Sequence, residues 1–411
     1  MARLVPDTFD RAVELLKSNC VEQGIKASTS YYNQVWARDS FITFLGANLL
    51  GDELLLRHSR AAIRTFAKTR SPLGQIANQY DLAVNAPEFG YSGSTDSTCW
   101  YIIGLASLYA ATDDRSLLKE PLEVAVAAYG WLRCQDANNS GLLDSPPGAD
   151  WMDAAIQRTG KTLYVNALYL CATRSLEKLL SALGAAPYRT SKLDYDVLKQ
   201  RFTDVFLPGE GSPKRVSAYW PRMGERQARN WPAGFSRRYF LHYIAFSRID
   251  ERFDTFSNVL CILSGIAEGS TSRSIVSTMA RRAISEPYPS KALSPPYRAE
   301  GAAYDRGFDS SLPVQHRSRP YAYHNGGVWP FIGGFYVCAL NEMRMEDAPR
   351  ETESLARANN VFRKDETVGF NEWIHGSTGA ALGQFGQSWN AGSFIASVLS
   401  AKGKRVLGFL D

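Results

Sequence analysis

The stretch TDSTCWYIIGLASLYAATDDRSLLKEPLEVAVAAYGWLRC (residues 95–134) predicts two consecutive helices joined by a short turn. Apolar residues recur at three-and-four spacing over 95–112 and again over 115–134, which is the spacing of one helix face. Ser94 and Thr95 precede the first helix, and Asp113 and Asp114 stand where the second should begin. Side chains of these types start helices because their oxygens accept bonds from unpaired backbone N–H groups.

The same helical spacing continues along the chain in both directions. About a dozen segments carry it: 7–22, 38–50, 53–69, 95–112, 115–134, 162–184, 191–206, 236–248, 253–267, 271–284, 327–342, 348–360 and 387–401. Strand-like alternation is nearly absent. Irregular stretches rich in Gly, Pro, Asn and aromatic residues lie near 70–93, 136–160, 207–235, 285–326 and 362–386. The sequence therefore predicts an all-α protein.

Short turns alternate with long loops along this helical chain. The alternation favours concentric inner and outer helices, with the long loops gathered on one face to form a pocket. Loops of this length in a compact protein usually carry function. We expect residues 1–411 to form a single catalytic domain of this kind. The alternative architecture is an α-solenoid of helix pairs, although no repeated sequence period supports it.

Composition narrows the classes of partner. The formal charge is +5, from 46 basic and 41 acidic residues that are scattered along the chain, so nucleic acid is not an expected partner. The first residues lack the uninterrupted apolar stretch typical of a signal peptide, and no segment reaches the roughly 18 apolar residues of a membrane span, so we expect a soluble cytoplasmic protein without a membrane partner. Six cysteines without a CxxC pair predict reduced core residues. No metal or other cofactor is expected.

Five acidic residues differ from the rest because they lie among aromatic residues, Asn and Gly. They are Asp39, Asp96, Asp150, Asp153 and Glu372. Cleavage of a glycosidic bond needs one carboxylic acid to protonate the leaving oxygen, and one carboxylate to activate water or to attack carbon. Aromatic walls stack on sugar rings and also raise a carboxyl pKa by lowering the local dielectric. These five residues are therefore the candidates for such chemistry.

Two of these carboxyls fit the two catalytic roles. Asp153 follows Trp151 in PPGADWMDAAIQRTGK and fits the acid, whereas Glu372 in GFNEWIHGSTG fits a base that needs a water. Asp150 has an alternative interpretation as the N-cap of a helix starting near Trp151. Whether Asp150 shares the acid role stays open.

Two further groups of residues fit sugar binding. Arg38 and Asp39 follow Trp36, and an adjacent guanidinium and carboxylate suit vicinal hydroxyls. A structural ion pair is the alternative. The stretch RPYAYHNGGVWPF supplies His324, Asn325 and Trp329 around two glycines. His324 could instead be a core histidine bonded to backbone. Serine-hydrolase elbows, dinucleotide-binding turns and P-loops are missing from the sequence.

Five motifs in order resemble a known family. They are VWARDSF (35–41), DSTCWYIIGLASLY (96–109), DWMDAAIQRTGKTLYVNALY (150–169), YHNGGVWPFIGGFYVCAL (323–340) and FNEWIHGSTGAALGQFGQSWNAGS (370–393). This order is similar to the catalytic domain of amylo-α-1,6-glucosidases, the glucosidase half of glycogen debranching enzymes. It also resembles the related α/α-barrel families of neutral invertases, processing α-glucosidases and glycosylglycerate hydrolases. The resemblance covers about residues 30–400.

The resemblance implies a six-fold (α/α)6 barrel and inversion at the anomeric carbon. It implies that Asp153, in a Trp-Met-Asp motif, is the acid and that Glu372 is the base. The Arg-Asp pair of the family's first loop matches Arg38 and Asp39, and its second-loop Asp matches Asp96. The full set of expected substrate-binding residues is Trp36, Arg38, Asp39, Asp96, Asp150, Trp151, Lys161, Asn166, His324, Asn325, Trp329, Gln387 and Trp389.

The leading hypothesis is an exo-acting inverting glycosidase that releases one hexose, glucose, from an α-glucoside. The motif NEWIHG (371–376) resembles those of invertases and glycosylglycerate hydrolases more than those of debranching enzymes, so a small disaccharide-like substrate is an alternative. A sugar epimerase would work through histidines, of which the chain has only five. A carbohydrate-binding protein without turnover is a further alternative. The sequence does not indicate the linkage, the aglycone or the oligomeric state.

Overall fold

The computed structural model describes residues 3–29, 31–90, 94–184, 195–230, 238–246, 248–298, 303–363 and 368–411. Its α-helices are α1 (Leu4–Asn19), α2 (Ala37–Leu50), α3 (Glu53–Lys68), α4 (Thr95–Thr112), α5 (Lys119–Arg133), α6 (Leu163–Ala182), α7 (Tyr195–Phe206), α8 (Ser212–Tyr219), α9 (Pro221–Asn230), α10 (Thr255–Leu263), α11 (Gly269–Arg281), α12 (Arg306–Ser311), α13 (Pro330–Glu342), α14 (Ala348–Asn359) and α15 (Ser388–Ser400). Short 3-10 helices span Arg115–Leu118, Val314–His316 and Gly408–Leu410.

Six helices form a closed inner ring. Helix α2 packs against α4, α4 against α6, α6 against α10, α10 against α13, α13 against α15, and α15 against α2. Helices α1, α3, α5, α7, α11 and α14 pack outside this ring against one or two of its members. The predicted all-α (α/α)6 barrel is therefore confirmed.

The sequence decides which helices lie inside. The first fourteen residues of α4, from Thr95 to Leu108, are all buried, as an inner helix requires. The outer helix α3 is instead amphipathic, with Leu55, Ile63 and Phe66 buried. Its N-cap Asp52 accepts hydrogen bonds from two backbone N–H groups, a contribution of about 1 kcal/mol.

Glycines allow the closest crossing in the inner ring. A Cβ on Gly46 of α2 would overlap the carbonyl of Gly392 on α15, and a Cβ on Gly392 would overlap the backbone of Thr43. Two backbones can approach this closely only where side chains are missing. The contact between α2 and α15, which closes the ring, therefore depends on this pair.

Short strands occur in the connections and were not expected from the sequence. They are β1 (Cys20–Val21), β2 (Gly24–Ile25), β3 (Gln34–Trp36), β4 (Gln79–Asp81), β5 (Ala86–Glu88), β6 (Lys161–Thr162), β7 (Tyr243–Ala245), β8 (Arg248–Asp250), β9 (Phe253–Asp254), β10 (Leu293–Ser294), β11 (Trp373–Ile374) and β12 (Ala381–Leu382). They form antiparallel sheets of two or three strands, such as β3-β4-β5 and β6-β7-β8. Several of them precede an inner helix directly.

The prediction of a helix over 236–248 is wrong. In the described part of that range, β7 pairs with β6 and β8, while positions 236, 237 and 247 lie outside the described residues. A short apolar run fits either a strand or a helix, and here distant pairing partners determine the outcome. The region 207–235, predicted to be irregular, contains α8 and α9, with 231–235 outside the described residues.

The cysteine prediction holds for most positions. Cys99, Cys171, Cys261 and Cys338 are buried and free, whereas Cys20 is half-buried and Cys134 is exposed. Within the described ranges, no helix combines the length and the apolarity that a membrane crossing requires.

Candidate active site

A cavity of about 310 Å³ lies where the inner helices α2, α13 and α15 begin. Trp36, Trp329 and Gln387 directly precede these helices, and all three line the cavity. Its volume falls at the lower end of the range of about 300–1,000 Å³ for ligand pockets. The structure brings ten predicted site residues to it: Trp36, Arg38, Asp39, Trp151, Asp153, His324, Trp329, Glu372, Gln387 and Trp389.

Aromatic rings form much of the cavity wall. Trp329 meets Trp151 and Trp389 edge to face, with ring centroids 5.4 and 5.7 Å apart. The imidazole of His324 stacks on Trp329 at 5.2 Å. Among the described residues, no partner is found for the buried indole N–H groups of Trp151 and Trp389. A buried donor without a partner is costly, so these two N–H groups are unsatisfied polar positions within the cavity wall.

His324 is neutral in this aromatic setting. It is buried beside Trp151 and Tyr323, and burial holds its pKa well below the usual value, aided by the positive charges of Arg158 and Arg38. A neutral imidazole has one N–H donor and one acceptor nitrogen. His324 therefore suits hydrogen bonding to a neutral ligand and does not suit proton donation.

Arg38 is surrounded by carboxylates. Its guanidinium nitrogens lie 3.4 Å from Asp39 Oδ2, 3.4 Å from Asp96 Oδ2 and 3.8 Å from Asp153 Oδ2. One buried cation cannot neutralise three ionised acids, so protonation of at least one carboxyl is favoured. Burial raises the pKa of Asp96 to about 6 even though Arg38 opposes the effect.

Asp153 is the carboxyl in this cluster that is most easily kept protonated. Burial raises its pKa to about 7; the charge of Arg38 opposes this, and the negative charges of Asp96, Asp150 and Asp39 add to it. Burial is the cause expected from the sequence, and the neighbouring carboxylates add a contribution that the sequence did not indicate. A carboxyl with this pKa can donate a proton near neutral pH.

Glu372 accepts two hydrogen bonds, although the negative charges of Asp39 and Asp153 also raise its pKa. Its Oε2 accepts a hydrogen bond from the backbone N–H of Gln384 at 3.0 Å, and its Oε1 accepts one from the Tyr32 hydroxyl at 3.2 Å. Burial raises the pKa of Glu372 to about 7, while both donors favour the ionised form. An ionised carboxylate held in this way can accept a proton.

Backbone geometry leaves room for the Glu372 carboxylate. Glu372 precedes strand β11, and its N–H donates to the Gln384 carbonyl at 2.6 Å. Gly383, with φ of +70°, follows β12, and a Cβ there would lie 2.5 Å from Glu372 Oε2. A side chain at this position would be strained and would also displace the carboxylate.

Five predicted substrate-binding residues do not line the cavity. They are Asp96, Asp150, Lys161, Asn166 and Asn325. Asp96 lies behind Arg38, as described above. Asp150 forms a bidentate pair with Arg158 and accepts the N–H of Met152 at 2.9 Å. The alternative interpretation of Asp150 as a helix N-cap is wrong, because no helix begins at Trp151 in the described structure.

Lys161, Asn166 and Asn325, which were predicted to bind the substrate, are buried outside the cavity lining and hold loops in place. Lys161 donates to the Leu142 carbonyl at 2.6 Å, and Asn166 exchanges two hydrogen bonds with the backbone of Leu143. Asn325 does the same with the backbone of Tyr297. Their polar groups are satisfied by protein backbone.

Six cavity residues were missed by reasoning from sequence. They are Tyr32, Ala154, Phe308, Leu312, His316 and Tyr323. Tyr323 begins the motif 323–340, and Tyr32 lies four positions before Trp36 in an aromatic stretch, so a signal for both existed. Phe308, Leu312 and His316 carry no local signal, because only the folded connection between 303 and 329 brings them to the cavity.

Comparison with known proteins identifies relatives of this chain. The family model described as amylo-alpha-1,6-glucosidase matches residues 11–395. The curated protein alkaline/neutral invertase C of Arabidopsis thaliana, described as mitochondrial, is 20% identical over 338 residues. That match covers 76% of this chain and 49% of the invertase, so the chain spans about half the length of this curated relative.

Solved structures of glycosidases share the fold. The GH63 mannosylglycerate hydrolase from Thermus thermophilus, in complex with Tris and D-glycerate, has a TM-score of 0.64 at 14% identity, covering 95% of this chain and 99% of that chain. The GH78 family rhamnosidase of Bacillus sp. GL1 has a TM-score of 0.59 at 17% identity, covering 97% and 35%. At these identities the similarity concerns the fold alone.

Proposed function

This chain belongs to the amylo-alpha-1,6-glucosidase family, and from that premise we propose that it is an exo-acting inverting glycoside hydrolase that releases glucose from an α-glucoside. The observation that carries the proposal is the pair Asp153 and Glu372, which line one cavity in contrasting surroundings. Asp153 lies among other carboxylates, and Glu372 lies among hydrogen-bond donors.

The contrast supports one assignment of roles. Negative neighbours favour the protonated form of Asp153, which then donates its proton to the leaving oxygen. Hydrogen-bond donors favour the ionised form of Glu372, which then removes a proton from the attacking water. In an inverting mechanism, protonation of the leaving group and attack by water occur on opposite faces of the sugar ring.

The remaining cavity residues support recognition of one terminal sugar. Arg38 and Asp39 offer adjacent donors and acceptors for hydroxyls, and Trp329 and Trp389 offer apolar faces. The small cavity volume favours a single sugar ring over a long glucan segment. We therefore propose exo action at a chain end or on a small glycoside.

The charge of the cavity favours a substrate whose aglycone is uncharged. Among the described residues that line it, Arg38 is the cation that stays charged, and three carboxylates already surround it. A further carboxylate, such as that of a glycerate, would find little compensation there. A neutral α-glucoside is therefore favoured over a glycosylglycerate, and an invertase-type disaccharide remains within the proposal.

The first product of an α-glucoside is expected to be the β-anomer. The active glycoside is found by testing sucrose, isomaltose, panose, maltose, trehalose, glucosylglycerate and mannosylglycerate for released monosaccharide. Proton NMR of the first minutes of hydrolysis, before mutarotation, then reports the anomer. An inverting pair of carboxyls leaves space for a water, so the configuration changes once.

Two results would contradict this assignment. On a glucoside whose leaving group is not glucose, such as sucrose, an initial α-anomer of the released glucose would mean retention and would exclude Glu372 as a base acting through water. Absence of any released monosaccharide from the whole panel would count against glycoside hydrolysis itself. A reaction that gives a different sugar without cleavage would instead support the epimerase alternative.

The pH dependence of kcat/KM is expected to be bell-shaped with its maximum near neutral pH. Activity falls at lower pH as Glu372, with a pKa of about 7, becomes protonated and can no longer act as a base. It falls at higher pH as Asp153, also with a pKa of about 7, loses the proton that it must donate. Because the two carboxyls interact, the apparent pKa values of the two limbs describe the coupled pair of Asp153 and Glu372.

The variant Asp96→Asn tests the alkaline limb. It removes a negative charge beside Asp153 and leaves Arg38 free to stabilise the ionised form of Asp153. The pKa of Asp153 should fall, so the alkaline limb should move to lower pH by about one unit. The exposed Glu346→Gln is the control for loss of one negative charge. An unmoved limb in Asp96→Asn would show that Asp153 does not control it.

A further inference from the structure

A chain of hydrogen-bonding groups runs from Glu372 to the edge of the cavity. The Tyr32 hydroxyl lies 3.2 Å from Glu372 Oε1 and 3.1 Å from His316 Nε2. His316 belongs to the 3-10 helix Val314–His316 and is half-buried, whereas Glu372 is only 4% exposed. The three groups therefore connect a buried carboxylate to a side chain that reaches solvent.

The proposed reaction leaves a proton on Glu372. In each turnover Asp153 gives one proton to the leaving oxygen, and Glu372 takes one proton from water. Before the next turnover Glu372 must lose that proton, and Asp153 must gain one from solvent. Glu372 has little direct contact with solvent, so the route of this proton is a structural question.

We propose that Tyr32 and His316 form the relay through which Glu372 returns its proton to solvent after each turnover. This inference rests on the proposed function of Glu372 as the base. Two observations support the relay. The first is the pair of hydrogen-bond distances at the Tyr32 hydroxyl, and the second is that solvent exposure is greater at His316 than at Glu372.

Each proton in the transfer has a donor and an acceptor. The protonated Glu372 gives its proton to the Tyr32 oxygen, while the hydroxyl gives its own proton to the lone pair on His316 Nε2. Tyr32 thus remains a neutral phenol, Glu372 becomes a carboxylate, and His316 becomes an imidazolium. His316 then releases the proton on Nε2 to solvent, and the Tyr32 hydroxyl, which now carries the proton received from Glu372, donates to the Glu372 carboxylate again. The hydroxyl points towards His316 only while Glu372 is protonated.

The surroundings are compatible with a neutral relay. Burial raises the pKa of Tyr32, and the charges of Glu372, Asp153 and Asp39 add to this, so the phenol does not ionise. Burial lowers the pKa of His316, which leaves a lone pair available at neutral pH. The titratable groups around the relay are Asp39, Asp153, Tyr323 and His324. Of these, Tyr323 and His324 are held neutral by burial.

His316→Gln tests the relay on the best glycoside of the panel. Glutamine can still bond Tyr32, but it cannot take up and release a proton. Proton release follows cleavage of the glycosidic bond, so kcat should fall by about tenfold while kcat/KM stays within about twofold. Added imidazole should restore kcat, because it replaces the missing base. A structural defect would instead lower kcat/KM and would not respond to imidazole.

Three further variants make the result specific. Tyr32→Phe should also lose kcat, but imidazole should not restore it, because the hydroxyl between the two ends is missing. Tyr31→Phe and His375→Gln change a neighbouring phenol and another histidine that do not line the cavity, and both should keep wild-type kcat. An unchanged kcat in His316→Gln, or a loss that imidazole does not relieve, would overturn the relay. A wild-type protein inactive on every glycoside would overturn the proposed function and the relay together.

Discussion

Asp153→Asn and Glu372→Gln are each expected to lower turnover of the best glycoside by at least about a thousandfold, or about 4 kcal/mol of transition-state stabilisation. Both changes keep the size and shape of the side chain and remove only its ability to donate or accept a proton. Steady-state kinetics of the purified variants measure the loss. Melting temperatures close to that of the wild type would show that the fold is intact.

The leaving group separates the two roles. Fluoride departs without protonation, so Asp153→Asn should retain much more activity on α-glucosyl fluoride than on a glucoside with a sugar leaving group. Glu372→Gln should be slow on both substrates, because attack by water still lacks its base. The opposite pattern would exchange the two assignments.

Surface carboxyls supply the matched controls. Asp113→Asn and Glu346→Gln make the same chemical changes at exposed positions away from the cavity, and both should keep wild-type kcat/KM. Near-normal turnover by either Asp153→Asn or Glu372→Gln would overturn the role given to that residue.

The helical part of the fold was predictable because the signal is local. The periodicity over 95–112 coincides with α4, and that over 53–69 coincides with α3 to within one residue. The strand β7 could not be found in this way, since it lies between β8 and the strand β6, which is about 80 positions earlier in the chain. Hydrophobic periodicity is a property of one segment of the chain, whereas strand pairing depends on two segments.

The candidate site was partly predictable for a similar reason. Asp153 and Glu372 stand in aromatic, glycine-rich motifs that are unusual for a solvated carboxylate. The same criterion also selected Asp150, whose partner Arg158 satisfies it inside the protein. Sequence context indicates that a polar residue is buried, but only the fold shows whether its partner is protein or ligand. His316 was missed because its partner Tyr32 lies 284 positions away.

Arg158 holds the loop that carries Asp153 to the barrel. It is 1% exposed, and its guanidinium bonds Asp150 through Nε and Nη2 and Asp254 through Nη1 at 2.6 Å. Asp150 also accepts the N–H of Met152, and Asp254 caps α10 by accepting the N–H of Ser257. One buried cation therefore ties the loop that carries Asp153 to an inner helix.

Arg158→Met is expected to lower the free energy of unfolding by about 3–5 kcal/mol, the cost of breaking a buried ion pair by removing one partner. The methionine side chain fills similar space but deprives the buried carboxylates of Asp150 and Asp254 of the guanidinium that they share. Urea unfolding at pH 7 measures the change. The control Arg357→Met breaks the exposed pair of Arg357 with Glu353 and should cost less than about 1 kcal/mol.

The pH dependence of this loss identifies its cause. Burial alone would raise the pKa of Asp254, but Arg158 and His242 outweigh it and lower the pKa to about 2. This folded-state value lies below the unfolded value of about 3.9, so wild-type stability from Asp254 is present above pH 4 and is lost as pH falls towards 2.

Without Arg158, burial is the dominant influence on the two carboxylates, and their protonation removes the cost of the buried negative charges as pH falls. The difference between wild type and Arg158→Met should therefore shrink from pH 7 to pH 4, and adding Asp150→Asn and Asp254→Asn to the variant should recover much of the loss at pH 7. A difference that stays constant with pH would assign the loss to packing instead of charge.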